Sequence, residues 1–352
     1  NGILAGLGGI FIFVPQIAFL FAFIAFLEDT GYMARVSFIT DKLLRGVGLN
    51  GRSIIPLLSG AACAVPAIMS ARTISSWKER LITIMVTPLM SCAARIPVYV
   101  IIIALIIPDV TYLGGLLNLK GIVMMAFYLL GFLAAIGVAF LMKFIIESKE
   151  RSHYIMEMPS YKIPDYKTVL YTIFEKVKVF LFDAGKVIIA VSIVLWVLSS
   201  YAPSGEFERI EEEYVFLENL ENKEYIISEK KLEVSYAGKI GKTIEPVIKP
   251  LGFDWKIGIA LITSFAAREV FTGTMAQIYG LGDNYEHDEL IDGEYKQRNR
   301  LITTLQSAKD SDGQPFFTTA VGVSLMLFYA FAMQCMSTVA VVYRETKGWK
   351  WP

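Results

Sequence analysis

Stretches of roughly 20 mostly apolar residues recur along the chain, and charged residues collect between them. Of the 352 residues, 55% are hydrophobic and only 19% are charged, with a formal net charge of zero. Soluble domains average about 25% charged residues, and a nucleic-acid-binding protein carries a basic surface. The sequence therefore predicts an all-α polytopic membrane protein and argues against a disordered chain, a nucleic-acid binder or an ordinary soluble domain.

Several stretches have the length and composition of a helix that spans a bilayer. They are residues 3–27, 121–146, 179–198, 257–279 and 316–343. Polar residues interrupt the last two, Arg268 with Glu269 in one and Gln334 in the other. The chain opens at Asn1 and is already apolar at Ile3, so we expect a piece of a longer protein.

Two further apolar stretches contain helix breakers. Residues 54–70 contain Pro56, Gly60 and Pro66, and residues 81–107 contain Pro88, Arg95 and Pro97. Carbonyl groups freed at such breaks must be satisfied by protein, water or an ion when they lie in lipid. Broken helices line substrate sites in transporters, so Gly60, Pro66 and Pro97 are candidate gating positions. The alternative is a pair of kinked packing helices.

The charge pattern predicts how the chain is organised. Basic residues flank 54–70 on both sides, which by the positive-inside rule indicates a re-entrant hairpin entered from the cytoplasm. We expect a first gate-type half with broken helices at 1–107, a spanning helix at 108–146, a cytoplasmic connector at 147–178, a spanning helix at 179–200, an acidic external segment at 201–250, and a second gate-type half at 251–352 with an acidic loop at 281–312.

All three cysteines, Cys63, Cys92 and Cys335, lie in apolar stretches. An odd number of widely spaced cysteines is no disulfide framework, so they are either small buried hydrophobic residues or soft ligands. Soft ligands suit Fe²⁺ or Cu⁺ better than Mg²⁺ or Ca²⁺, and the residues do not choose between the two. Arginine follows nine residues after Cys63 and again after Cys335, which hints at an internal repeat.

Charged residues next to or inside the apolar stretches are further candidates for an ion pathway: Glu28, Asp29, Arg95 and Glu269. The first two end an apolar helix, where a negative charge opposes the helix dipole. They therefore need a cation, which is either a neighbour such as Arg35 or a transported ion. Ionisable groups at membrane depth are costly and mark function by default, although Arg95 could instead pair with Glu28 or Asp29.

Motifs of hydrolytic enzymes are missing from the printed sequence. It contains no G-x-x-x-x-G-K-[ST] phosphate loop, no H-E-x-x-H motif and no nucleophile elbow. We therefore expect no enzymatic activity from this chain.

Six segments resemble the membrane part of the ferrous iron transport protein B (FeoB) family, in the family's order. They are residues 27–35, 56–67, 91–99, 250–255, 265–269 and 344–346. The resemblance implies a multi-pass Fe²⁺ importer of the bacterial inner membrane, built from two gate-type repeats, with Cys63, Cys92 and Cys335 on the iron pathway. The chain departs from the family at three positions: Ala62 replaces a usual glycine, Gln334 a common proline and Arg268 a frequent lysine.

The resemblance also implies a GTP-binding domain ahead of this region and outside the chain, where GTP, Mg²⁺ and GTPase activity would belong. The implied partners are the lipid bilayer, Fe²⁺ and that domain, and they are compatible with small accessory Feo proteins and a homo-oligomer; nucleic acid is not expected. Two alternatives stay open. One is a transporter of another transition metal or of a nucleoside-like solute, and the other is a membrane scaffold whose cysteines only pack.

Overall fold

The fold is known from a computed structural model, and the described residues are mostly helical. The structure describes residues 14–15, 18–19, 21–112, 117–146, 161–179, 181–182, 185–203, 205–215, 230–265, 268, 270–279, 290–291, 294–308, 315–333 and 335–352. The strands in these ranges are two residues long and pair antiparallel as β1 (Thr111–Tyr112) with β2 (Leu117–Asn118) and β3 (Leu290–Ile291) with β4 (Glu294–Tyr295). The predicted all-α fold is confirmed.

After a helical segment at 21–29, helices follow one another along the chain. In chain order they are α1 (Tyr32–Gly46), α2 (Ile54–Gly60), α3 (Ala64–Ser70), α4 (Trp77–Val86), α5 (Ile96–Ile106), α6 (Leu119–Ile145), α7 (Tyr166–Val179), α8 (Gly185–Ser200), α9 (Glu206–Val215), α10 (Tyr236–Ile248), α11 (Trp255–Thr263), α12 (Val270–Ile278), α13 (Lys296–Ser307), α14 (Thr319–Phe331) and α15 (Met336–Thr346). Short 3₁₀ turns at Gly51–Ser53, Ala71–Thr73, Thr87–Leu89, Ala93–Arg95 and Lys249–Leu251 connect some of them.

The chain forms two compact units. The first comprises Asn1–Ala94, Phe127–Ala190 and Cys335–Pro352, and the second comprises Arg95–Ala126 and Val191–Gln334. Two of the four chain boundaries between the units, at 94/95 and 334/335, coincide with breaks between helices. The three cysteines therefore all belong to the first unit.

Among the described residues, three segments are long and apolar enough to cross a membrane. They are Trp77–Ile106, Leu119–Ile145 and Thr319–Thr346. The second is the single helix α6, as predicted for 121–146, whereas the first and third are each interrupted. The apolar helix α8 is shorter, and most of the predicted span at 3–27 lies outside the described residues.

Residues 257–279 do not form the continuous spanning helix that their length predicts. They form α11 and α12, with a break after Thr263. Side-chain hydroxyl groups donate hydrogen bonds to backbone carbonyls at the end of α11. Thr263 Oγ1 donates to Ala260 O at 3.0 Å, and Ser264 Oγ donates to Leu261 O at 2.6 Å. Thr263 and Thr274 also share a 2.9 Å hydrogen bond across the hairpin. Such hydroxyls satisfy backbone groups that a continuous helix would have paired.

A repeated turn precedes both broken hairpins, α2/α3 and α11/α12. Its shared motif is a glycine with positive φ, a buried apolar residue and an N-capping Asn or Asp: Gly48-Leu49-Asn50 in the first and Gly252-Phe253-Asp254 in the second. The glycine φ angles are 87° and 82°, in the left-handed region that favours glycine. Each cap side chain accepts a hydrogen bond from the backbone N–H three residues later. The internal repeat is therefore stronger at these turns than at the cysteine–arginine spacing.

Candidate ion pathway at the helix breaks

The first break separates α2 from α3, and Cys63 is the residue at which α3 begins. Cys63 is the N-cap, with extended backbone at φ −152° and ψ 131°. Its N–H donates to Ser59 O at 3.0 Å, and Ser59 Oγ donates to Ile55 O at 2.8 Å. The unwound backbone is thus partly satisfied by the protein itself, as lipid surroundings demand.

Proline residues at these breaks start helices and do not interrupt them. Pro56, Pro66 and Pro97 lie in the first turns of α2, α3 and α5. The missing N–H costs nothing there, because the first turn has no intrahelical acceptor for it. Each break therefore lies just ahead of its proline, which places Cys63 and Cys92 in unwound backbone.

The break before α15 has the same form without a proline. Cys335 is the N-cap of α15, with φ −151° and ψ 103°, close to the angles of Cys63. Its carbonyl accepts the N–H groups of Thr338 at 3.0 Å and Val339 at 3.3 Å. Gln334, which stands where the family commonly has proline, lies outside the described residues.

Cys92 lies between two 3₁₀ turns in the break that separates α4 from α5. Helix α6 packs closely against this break: a Cβ added at Gly131 would lie 2.5 Å from Ser91 Oγ. Tyr128, also on α6, directs its hydroxyl at Cys92 O at 3.5 Å, which is too long for a strong hydrogen bond.

Helices α3 and α15, which begin at Cys63 and Cys335, pack on each other. Cys63 lies against an apolar cluster that includes Val65 and Ile68 of α3 and Val341 and Val342 of α15. The break beside Cys92 adjoins the same hairpin, because a Cβ at Gly60 would lie 3.1 Å from Thr87 Cγ2. All three thiols are half-buried and none is in a disulfide.

No group of three or more His, Cys, Asp or Glu side chains gathers within the described part of the chain. A closed four-ligand site of the structural zinc type needs such a group. The described arrangement instead places single thiols beside unwound backbone.

The far ends of α3 and α15 are joined by ion pairs. Glu345, whose side chain is 3% exposed, accepts Arg72 Nη2 at 2.5 Å and Arg80 Nη2 at 2.9 Å. Arg344 Nε lies 3.7 Å from the same carboxylate. Sequence reasoning missed this cluster. Its signal was the equal spacing of Cys63 to Arg72 and of Cys335 to Arg344. Both helices begin at a cysteine, and the arginine nine residues later lies near the Glu345 carboxylate in each case.

Asp29 pairs with a residue that the sequence did not suggest. Lys162 Nζ lies 2.7 Å from Asp29 Oδ1, and the N–H of Asp165 donates to Oδ2 at 2.7 Å. The hydrogen bond from Lys162, followed by the one from Asp165, lowers the pKa of Asp29. The expected neighbour, Arg35, instead lies 3.6 Å above the ring of Tyr161.

Asp29→Asn is expected to loosen the start of α7, because Asp29 accepts the N–H of Asp165, and Asp165 Oδ1 in turn accepts the backbone N–H of Lys167 at 3.2 Å in the first turn of that helix. Backbone hydrogen exchange in the first turn of α7 should become several-fold faster. Since the pKa of Asp29 is lowered, the contact is complete above the ordinary value of 3.8 and is lost as the pH falls through the lowered one. Glu28→Gln, at an exposed neighbour, is the control, and equal exchange in both variants would contradict the assignment.

The remaining charged candidates differ in how deeply they are buried. Glu28 is exposed at the end of the helical segment 21–29. Arg95 is fully buried and is the N-cap of α5. Glu269 lies outside the described residues, while its neighbour Arg268 is 6% exposed.

Known families match nearly the whole chain. The Gate family, described as nucleoside recognition, matches residues 10–106 and 181–349. The family described as ferrous iron transport protein B C terminus matches residues 124–176. The two matches interleave, since the second occupies the interval between the two parts of the first.

Curated relatives align along the full length of the chain. The Fe(2+) transporter FeoB of Leptospira biflexa is 42% identical and that of Methanocaldococcus jannaschii 36%, over 100% of this chain in each case. A fusion of Fe(2+) transport protein A with Fe(2+) transporter FeoB from Porphyromonas gingivalis is 37% identical over the whole chain. The chain covers 47%, 46% and 41% of these relatives, so it spans about half of their length or less. No solved structure matches the chain with significance.

Proposed function

The chain belongs to the Gate family and corresponds to the membrane region of the ferrous iron transport protein B family, and on this premise we propose that it forms the membrane pathway of an Fe²⁺ importer. The observation that carries the proposal is the pairing of α3 with α15. Each begins at a half-buried cysteine in extended backbone, within the same compact unit. Two soft ligands thereby meet unwound backbone at the start of two packed helices.

The ligand chemistry supports Fe²⁺ as the transported ion. Cys63, Cys92 and Cys335 offer sulfur, the thioether of Met336 follows the third, and unwound carbonyls add oxygen. Such mixed sets suit divalent transition metals and disfavour Mg²⁺ and Ca²⁺. A site without a closed ligand shell binds weakly enough to release its ion, which conduction requires.

The proposed gating uses the breaks themselves. Gly60, Pro66 and Pro97 end or begin half-helices, so small rotations there can expose the cysteines to one side at a time. Arg95 and Glu269 are proposed to line the path, and Glu28 and Asp29 its approach. Two gate-type halves, 1–107 and 251–352, would enclose the path, with the spanning helices at 108–146 and 179–200 between them.

The proposal extends to the complete protein. A GTP-binding domain outside this chain, using GTP and Mg²⁺, would bias the gates by favouring one conformation. The complete protein would reside in a bacterial inner membrane. The natural fusion of Fe(2+) transport protein A to a relative supports a small accessory partner of that type.

Fe²⁺ uptake by the complete polypeptide tests the pathway. Cys63→Ser with Cys92→Ser is expected to lower the initial rate of ⁵⁵Fe²⁺ uptake at least fivefold, about 1 kcal/mol, because oxygen replaces a soft ligand at both positions. Met125→Leu, which replaces a 60% exposed methionine on α6, is the matched control and should leave uptake unchanged. An unchanged rate in the double variant would remove the thiols from the mechanism.

Substrate choice needs a separate measurement. Uptake of Fe²⁺ should persist in excess nucleoside and should be reduced by Mn²⁺ or Zn²⁺ far less than by unlabelled Fe²⁺. Stronger competition by Cu⁺ or by a nucleoside would favour one of the alternative substrates. If membrane-impermeant thiol reagents leave all three cysteines unmodified, the protein is a packing scaffold and not a pathway.

A further inference from the structure

Helix α14 ends at Phe331, in the interior of the apolar segment Thr319–Thr346. The last carbonyls of a helix have no intrahelical donor, and in lipid they need another one. Ala332 N–H donates to Phe328 O at 2.8 Å and so serves one of them. The other donors come from a different helix pair.

Arg268 supplies those donors from the break between α11 and α12. Its Nη2 donates to Ala332 O at 3.0 Å, and its Nη1 makes a longer and weaker hydrogen bond to Tyr329 O at 3.4 Å. The side chain is 6% exposed. A guanidinium is always charged and has a fixed fork of donors, so it can serve two carbonyls at once. The carboxyl end of a helix carries partial negative charge, which stabilises a cation placed there.

The break ahead of Cys335 lacks the proline that follows the breaks at Cys63 and Cys92. Pro66 and Pro97, whose φ angles are fixed, lie in the first turns of the helices that follow those two breaks. The sequence has no proline between Phe316 and Trp351. Ala332 and Cys335 are nevertheless both extended, and the Arg268 fork is a described side-chain contact at this end of α14.

We propose that Arg268 is a positioning residue that fixes the end of α14 and thereby the extended backbone from which Cys335 starts α15. This inference rests on the proposed function for its consequence in transport, because it assigns Arg268 no contact with the ion. A neutral side chain would release Tyr329 O and Ala332 O, and the break would fluctuate towards continued helix or towards solvent.

Alkylation of Cys335 measures the proposed positioning directly. The complete protein with Arg268→Met is treated with N-ethylmaleimide, and the peptides containing Cys335 and Cys63 are quantified by mass spectrometry. We expect the Cys335 rate to rise about tenfold, as local opening becomes easier, while the Cys63 rate changes less than about twofold. Arg268→Lys keeps a charged donor and should stay within about threefold of the parent.

Arg209→Gln, which removes an exposed arginine in the same unit, is the control and should alter neither rate. If Arg268→Met does not accumulate in the membrane, Arg268→Gln is used in its place for the same measurement. A Cys335 rate that is unchanged in the neutral variants, or one that changes equally for Cys63, overturns the proposal. A changed Cys335 rate with unchanged Fe²⁺ uptake would uphold Arg268 as a positioning residue and count against the cysteine pathway.

Discussion

Glu345→Gln is expected to lower the free energy of unfolding by about 3–5 kcal/mol, the cost of removing one partner from a buried ion pair. The Glu345 side chain is 3% exposed and faces two arginines from other elements. Glutamine preserves the shape and removes the charge, so the loss is electrostatic and leaves no cavity. Unfolding by increasing SDS in detergent micelles gives the measurement.

The size of the effect depends on how much each arginine relies on the Glu345 carboxylate. Arg80 Nη2 donates to Glu345 Oε2 at 2.9 Å, while the buried Arg80 Nε has no hydrogen-bond partner among the residues that the structure describes. The Glu345 carboxylate therefore supplies the described negative charge that balances the largely buried Arg80 guanidinium. Arg72 is 53% exposed and can return to water, so Arg72→Gln should cost much less than Glu345→Gln.

Two comparisons make this prediction specific. Asp109→Asn removes an exposed carboxylate from its ion pair with Lys120 and should cost less than about 1 kcal/mol. Combining Glu345→Gln with Arg80→Met should cost less than the sum of the single changes, because the uncompensated charge disappears. Additive costs, or a Glu345→Gln cost as small as that of Asp109→Asn, would show that the cluster does not hold α15 in place.

The ion-pair cluster connects stability with the proposed pathway. Helices α3 and α15 carry cysteines at their starts and meet at Arg72 and Glu345 near their ends. A rigid connection at one end fixes where the other end begins. We therefore expect Glu345→Gln to weaken Fe²⁺ uptake as well, although Glu345 lies about ten residues, roughly 15 Å of helix, from Cys335.

Local sequence signals were sufficient for the breaks within residues 54–107. Proline cannot continue a helix from upstream, and this alone located the breaks ahead of Pro66 and Pro97. The same logic failed in residues 251–352, which have no prolines at their breaks. The described contacts there are the hydroxyl bonds of Thr263 and Ser264 at the end of α11 and the Arg268 fork at the end of α14, and the last of these forms only in the folded chain.

Long-range pairings were beyond sequence reasoning for a physical reason. Arg72 and Glu345 lie 273 residues apart, and Asp29 meets Lys162 across the whole of α6. A charge near an apolar stretch indicates that it needs a partner, but any of several basic residues would satisfy it. The glycine–apolar–Asn/Asp repeat ahead of each hairpin could have been found in the sequence. The turn needs a positive φ that only glycine adopts easily, so the glycine itself marks the turn.

Gly131→Val is expected to destabilise the first unit by about 2–3 kcal/mol, the upper range for inserting methyl groups into a packed interface. Gly131, Ala135 and Ala139 form the buried face of α6, and small residues allow helices in a membrane to approach closely. A Cβ at position 131 would lie 2.5 Å from Ser91 Oγ and 3.3 Å from Leu89 O. The hydroxyl can rotate away, but the backbone carbonyl cannot, so the break that contains Cys92 must shift.

Gly137→Val on the same helix is the matched control, because a Cβ there meets no atom of the described part of the chain within 4 Å. Both variants carry the same cost of a β-branched residue in a helix, so their difference isolates the contact with the break. Alkylation of Cys92 should accelerate in Gly131→Val only, since Ser91 adjoins that thiol in the chain. Equal stability of the two variants in SDS unfolding, within about 0.5 kcal/mol, would mean that α6 does not press on this break and that the geometry around Cys92 is set elsewhere.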